Sequence, residues 1–207
     1  PLDGFRVIDF TIALSGPLAT ALLADQGASV IKVERPGVGD IARWTGTAHN
    51  GMTAVFLAAN RGKRSISIDL TTPGGRDIAL KLIEQADVVV QNFRPGVMEK
   101  LGLGYAAAKQ CNPDVIYVSV SGYGSSGPYR DRSAYDTSIQ GYAGFAANQA
   151  GHDGSPRFLH QLAADKVTSL FASQAITAAL LARLRGKCGQ HIELSMAEAV
   201  TSFLWVD

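Results

Sequence analysis

The sequence predicts an α/β chain built on a doubly wound, mainly parallel sheet with helices on both faces. Three observations carry that expectation. Short β-branched runs alternate with longer helical ones, the pattern of successive βαβ units. Apolar residues make up 46% and charged residues only 18%, against a usual charged share of about 25%, so much of the chain is destined for burial in a sheet or a subunit interface. The length of 207 residues is enough to bury one large core without disulfides or a structural metal.

The elements follow in order. Arg6–Phe10 (RVIDF) is a first strand, and Pro17 opens a helix running to Ala28, at the first helical position where its missing N–H costs nothing. Ser29–Glu34 (SVIKVE) is a second strand and Arg64–Leu70 (RSISIDL) a third. Pro73 starts a helix with Ile78, Leu82 and Ile83 on one face. Ala86–Phe93 (ADVVVQNF) is the next strand; Arg94-Pro95-Gly96 breaks it and leads into helical turns ending near Gly104. Asp114–Ser121 (DVIYVSVS) is the most strand-like run and ends in the loop Gly122–Pro128.

A helix is expected over Tyr135–Gln149, then a polar turn at Gly151–Pro156 and a long helix over Asp165–Arg185. Gln190–Met196 is the last strand, with a further helix from Ala197. Residues 1–185 therefore read as one large domain, and 186–207 as a strand and helix leading toward a second. The run Val200–Val206 ends without a cap or polar tail, which suggests the front part of something longer.

Composition narrows the function. Lys and Arg total 19 against 18 Asp and Glu, a net charge of +1, so no basic field favours nucleic acid or a membrane surface. No apolar run nears the roughly 20 residues of a bilayer span; the longest candidate, Ile176–Leu181, is a short segment of an amphipathic helix. The N-terminus has no charged region leading into an apolar one. Cys111 and Cys188 have no framework spacing and read as free thiols of a reducing compartment, which makes a cytoplasmic location the expectation. The four histidines share no ligand spacing, so no metal is expected.

Several motifs fail. The turn after the first strand, Thr11–Pro17, has one glycine where a dinucleotide fingerprint needs three. Asn60–Ser65 looks like a phosphate loop but precedes a strand rather than a helix. No G-x-S-x-G elbow is present. What remains is a set of basic residues near strand ends, Lys32, Arg35, Arg43, Arg61, Lys63, Arg64, Arg94 and Lys100. Singly they read as solvated charge; together they suit a small polyanionic ligand. Among carboxylates, Asp165 in Leu162-Ala-Ala-Asp165-Lys reads as a helix N-cap. That role is compatible with a second, as an accessible nucleophile toward an activated acyl carbon.

These residues also carry a resemblance. The run Leu2–Thr11, then Gly16-Pro17 and Leu23–Asp40, closely resembles the opening of the family III CoA-transferases, which include formyl-CoA and carnitine CoA-transferases and α-methylacyl-CoA racemase. The likeness continues through Asn60–Ser65, Ile68–Leu70, Asn92–Gly96, Leu101-Gly102, Ser121–Gly124, Tyr135-Asp136 and Gly189–Glu193. It spans essentially the whole chain, and members are usually about twice as long.

The resemblance implies a CoA-binding Rossmann-like domain, a homodimer of interlocked rings, and an acyl-CoA with a carboxylic acid as substrates. No permanently bound cofactor is implied; the CoA thioester is itself a substrate. It places the attacking aspartate at Asp165. CoA contacts fall on Arg35 and Lys100, with Leu70, Asn92 and Phe93 lining the nucleotide and Tyr135 and Asp136 also among the CoA-binding residues. Where formyl-CoA transferase has a first-loop Gln, this chain has Leu14, followed by Ser15 and Gly16, whose backbone N–H groups could form an oxyanion hole. Apolar Leu14 disfavours an acyl group as small as formate. The racemases have His-Asp where this chain has Tyr135-Asp136, and tyrosine, with a pKa near 10, is a poor base. A CoA-transferase is therefore the first expectation; an acyl-CoA racemase or epimerase, or a non-catalytic CoA-binding fragment, are the alternatives.

Overall fold

A computed structural model describes residues 1–206. In chain order the elements are β1 (Arg6–Asp9), α1 (Ser15–Asp25), β2 (Ser29–Glu34), a 3-10 turn (Ile41–Trp44), β3 (Ala48–His49), β4 (Met52–Thr53), α2 (Ala54–Asn60) and β5 (Arg64–Ser67). They continue with α3 (Pro73–Glu84), β6 (Val88–Gln91), α4 (Val97–Lys100), α5 (Tyr105–Cys111), β7 (Ile116–Ser121), α6 (Asp136–Ala143), α7 (Phe145–Asn148), α8 (Ala163–Leu184), β8 (His191–Ser195) and α9 (Met196–Phe203).

Six strands form one sheet in the order β5-β2-β1-β6-β7-β8, every neighbouring pair parallel. The order runs outward in both directions from β1 and β6. A ligand site therefore belongs at the carboxyl ends of those two strands, where the winding reverses. The two-residue strands β3 and β4 make a separate antiparallel hairpin that the sequence reading left unassigned.

Alternation along the strands builds two cores. Val7, Val88, Val90, Ile116 and Val118 face α1 and α8, meeting Leu23, Ala172, Ile176 and Leu180. Ile8, Val89 and Tyr117 face the other way, onto Ala79 and Ile83 of α3, Met98 of α4 and Ala108 of α5. All four residues of β6 are buried, as expected of a strand covered on both faces. Burying one such branched aliphatic side chain is worth about 1.5–3 kcal/mol. β8 lies at the sheet edge beside β7, so the segment after residue 185 contributes to the same sheet.

Several boundaries differ from the sequence reading. The helix expected from Pro17 starts at Ser15, so Pro17 is its third residue, still in the turn whose N–H groups lack partners. The helix expected over 135–149 is two, α6 and α7, parted at Gly144 with φ +104°. At 22 residues α8 is, by length and composition alone, long and apolar enough to cross a bilayer, although Thr168, Ser169, Ser173 and Gln174 interrupt its apolar sequence. Here nine of its residues are buried within the fold, while Leu170, Leu181 and Leu184 are exposed.

Candidate active site

A cleft of about 320 Å³ opens at the carboxyl ends of β1, β6 and β7, the place the strand order selects. The β1–α1 loop gives it Ile12, Ala13 and Ser15; the segment after β6 gives Asn92 and Phe93; Tyr135 and Asp165 close it. Six of the residues singled out in the sequence (Ser15, Asn92, Phe93, Arg94, Tyr135 and Asp165) thus meet in one cavity.

Asp165 is the third residue of α8, not its cap. The N-cap position is Leu162, which has no capping side chain. The capping carboxylate comes from elsewhere. Asp136, the first residue of α6 and almost fully buried, accepts the Asp165 backbone N–H at 3.0 Å and also holds the Gln140 amide. Gln140 in turn donates to the Gln161 carbonyl and accepts the Leu159 N–H, each at 2.9 Å, pinning the segment that leads into α8. Two carboxylates therefore share one helix N-terminus, whose positive dipole end favours both.

The Asp165 carboxyl is consequently shifted. Burial raises it most and the Asp136 charge adds to that, while Ser15, through its hydroxyl and its backbone N–H, pulls the other way; the result is a pKa pushed up to about 6. At neutral pH the group is still mostly ionised, and it is more basic than an exposed aspartate. The Ser169 hydroxyl lies 2.7 Å from the Ser15 carbonyl oxygen and 2.8 Å from that of Asp165, tying α8 to the first loop.

Ala13 takes the left-handed conformation, φ +68°, which costs a non-glycine residue about 1–2 kcal/mol. Gly16 is buried with its α-carbon packed on the Thr11 side chain, where a Cβ has no room. Leu14 and Gly16 stand behind the cleft wall rather than in it. Asn92, expected along a nucleotide, spends its side-chain amide on the Ile12 backbone, accepting the N–H and donating to the carbonyl, each at 2.8 Å. Asp136 likewise lies beneath the cleft. Arg35 and Lys100 are exposed and Leu70 is half-buried, all three outside it; Arg35 stands near Asp69, at the neighbouring ends of β2 and β5.

The basic residues near strand ends prove mostly structural. Lys63 Nζ bonds Asp9 and the Asn60 side chain at 2.8 Å each, and Lys32 pairs with Asp40 at 2.7 Å. Arg43 pairs with Glu34 at 2.7 Å, Arg61 with Asp25, and Arg64 bonds Ser29 at 3.0 Å. Burial would raise Asp9, yet Lys32 and Lys63 hold its carboxyl far below the usual range. Lys32, Lys63 and Arg43 are thus committed to balancing buried carboxylates, while Arg61 and Arg64 hold partners at the surface. The cations that do line the cleft are Arg94, Arg130 and Arg132. The last two escaped the sequence reading, although they directly follow the Gly/Ser-rich loop after β7.

Comparison with known proteins gives a consistent picture. The family model described as CoA-transferase family III matches residues 2–206. The chain is 40% identical to the succinate–glutarate CoA-transferase of Agrobacterium fabrum over 99% of its own length and 53% of the relative's. It is 41% identical to the acetyl-CoA:oxalate CoA-transferase of Acetobacter aceti, with the same coverage of each chain, 99% and 53%. The crystal structure of a CAIB/BAIF family protein from Brucella suis superposes with a TM-score of 0.94 at 40% identity, over 99% of this chain and 55% of that one. The chain spans about half the length of the curated relatives it matches.

Proposed function

The chain belongs to CoA-transferase family III, and on that premise we propose that it moves CoA from an acyl-CoA to a carboxylic acid, with Asp165 as the attacking carboxylate. The observation that carries this is one of place and charge. A carboxyl raised to about 6 opens onto a cleft at the reversal point of the sheet.

The steps balance without an outside reagent. Asp165 attacks the thioester carbonyl and CoA leaves as thiolate, giving a mixed anhydride. The thiolate attacks the aspartyl carbonyl, releasing the donor acid and leaving an aspartyl-CoA thioester. An acceptor carboxylate attacks that thioester, forms a second anhydride and expels the thiolate. The thiolate then takes the new acyl group and frees Asp165. The leaving group is an alkyl thiolate, far more basic than a carboxylate, so a carboxylate at about 6 is a closer match to it than an ordinary aspartate, and attack is less uphill. The Ser15 backbone N–H, in the first turn of α1, stands near Asp165 as a candidate donor to the oxyanion, and the Gly16 N–H follows it in the same turn.

Other parts of the reading follow the same premise. Leu14, Arg35, Leu70 and Lys100 are proposed to act on acyl-CoA from outside the described cleft. Two chains are proposed to assemble as interlocked rings, in the cytoplasm. The exposed Leu170, Leu181, Leu184 and Trp205 support an apolar interface.

The test is Asp165→Asn in the full-length protein. CoA exchange is expected to fall at least about a thousandfold while CoA affinity stays within about threefold. Hydroxylamine or borohydride trapping during turnover is expected to modify Asp165. Undiminished exchange in the variant overturns the assignment, and deuterium wash-in at the α-carbon without an acceptor acid favours a racemase.

A further inference from the structure

The β1–α1 loop is held at almost every residue. Lys32 Nζ donates to the Thr11 carbonyl at 2.7 Å, Asn92 holds Ile12, and Asp40 Oδ1 accepts the Ala13 N–H at 2.9 Å. Further on, the Ser169 hydroxyl holds the Ser15 carbonyl at 2.7 Å and Lys63 Nζ the Pro17 carbonyl at 2.8 Å. Lys32 and Asp40 are each only 1% exposed, and their contact at 2.7 Å ties both ends of the Thr11–Ala13 segment to one ion pair. The residue that Asp40 holds is Ala13, the left-handed one, two positions before the serine facing Asp165.

We propose that Asp40, held in place by Lys32, is a positioning residue for the CoA-transfer centre: by fixing Ala13 in the left-handed conformation, it aims the Ser15 hydroxyl and N–H at the Asp165 carboxylate. An alanine released from that bond relaxes to the commoner negative φ, which swings the following backbone and takes Ser15 off its target. The inference rests on the transferase reading in its kinetic arm and is independent of it in its titration arm.

Other charges stay constant in the comparison. Asp165 faces Asp136 from α6, with Arg94, Arg130 and Arg132 along the cleft and Lys166 beside it on α8. Asp40 faces Lys32, Glu34, whose carboxylate accepts the Asp40 N–H at 3.0 Å, and Arg43. Removing Asp40 deletes an anion, and a direct field effect on Asp165 would lower its pKa. Release of Ser15 acts in the opposite direction, because it withdraws donors from the charged form.

The experiment follows the Asp165 carboxyl by carbon-13 NMR in full-length protein with labelled aspartate, assigned through Asp165→Asn, together with the pH dependence of kcat. In Asp40→Ala the titration and the acid limb of kcat are expected to rise together by about one pH unit, a tenfold change in proton affinity. Adding Ala13→Gly, which occupies left-handed φ without a penalty, is expected to restore most of that shift. Asp40→Asn keeps an oxygen for the Ala13 N–H and is expected to leave the titration in place or, through the lost charge, slightly lower, never raised.

A lower or unmoved titration in Asp40→Ala, or no restoration by glycine, overturns the inference. If Asp40→Ala does not fold, Ala13→Val replaces it: valine resists left-handed φ with the ion pair intact. It is expected to raise the titration, and an unmoved value overturns the inference equally. Absence of CoA exchange in the wild-type protein sinks the transferase reading instead, with the titration still deciding the role of Asp40.

Discussion

Asp165 and Asp136 divide between them two tasks that the local sequence assigns to one residue. Spacing alone marks Asp165 as a helix cap, because a carboxylate at the start of a long helical run looks like one. Its exposure to a ligand was legible; the identity of the true cap was not, since Asp136 lies 29 residues earlier and only the packing of α6 on α8 brings them together. The division has a consequence for pH. If Asp165 attacks as the carboxylate, turnover rises with pH through the pKa of about 6 and levels off above it. Asp136→Asn removes the neighbouring charge that lifts Asp165, so the acid limb of kcat is expected to move to lower pH. One of the two hydrogen bonds now accepted by separate carboxylate oxygens is lost at the same time, at about 1–3 kcal/mol of stability. An acid limb that stays put or moves up in this variant removes Asp136 from the control of Asp165.

At the scale of elements, strands were read well and their ends less so. SVIKVE matches β2 residue for residue, and the five other strand runs each contain an observed strand, because a central parallel strand buried on both faces is a plain run of apolar and β-branched residues, while the edge strands β5 and β8 alternate apolar with polar ones. The runs overreach by one to three residues at an end because chain just outside the hydrogen-bonded ladder also packs into the core: Phe10 and Ile68 are buried beyond β1 and β5. Gly144 split a helix because its left-handed φ of +104° ends α6, whereas a glycine in sequence does not announce its φ. Gly189, just before β8, is a similar case. A Cβ there meets the backbone of Asp114 and Val115, neither of which can retreat without disturbing β7. Gly189→Ala is therefore expected to loosen β8 from β7 and cost about 1–3 kcal/mol, an overpacking penalty. Urea unfolding measures it, with a lowered midpoint expected; an unchanged midpoint means the edge strand yields freely.

Across the whole molecule the charge balance was legible and its placement was not. Nineteen cations against eighteen anions suggested loops free to meet a polyanion, but Lys32 and Lys63 lie inside the fold against Asp40 and Asp9. Pairing makes such burial tolerable, and it sets the response to acid. Burial works to raise Glu34, but Arg43, Ser65 and the Asp40 N–H outweigh it and hold its pKa at about 2, while Lys32 and Lys63 hold Asp9 lower still. Depressed carboxyls stabilise the fold above their unfolded values of 4.5 and 3.8, and that stability is lost as pH falls through the folded ones. Asp165 has the opposite sign. Raised to about 6 from 3.8, it favours the fold most when protonated, and that contribution disappears as pH rises through about 6. The intact protein without ligand is thus expected to gain stability from pH 7 toward pH 5 and to lose it steeply below about pH 4.5, where Glu34 and then Asp9 begin to bind protons that the unfolded chain binds more readily. Asp165→Asn should flatten the upper part of that curve and leave the acid collapse in place; Glu34→Gln should weaken the collapse and leave the upper part. Thermal melts across this range separate the two, and a curve whose upper part persists without Asp165 assigns it to other groups.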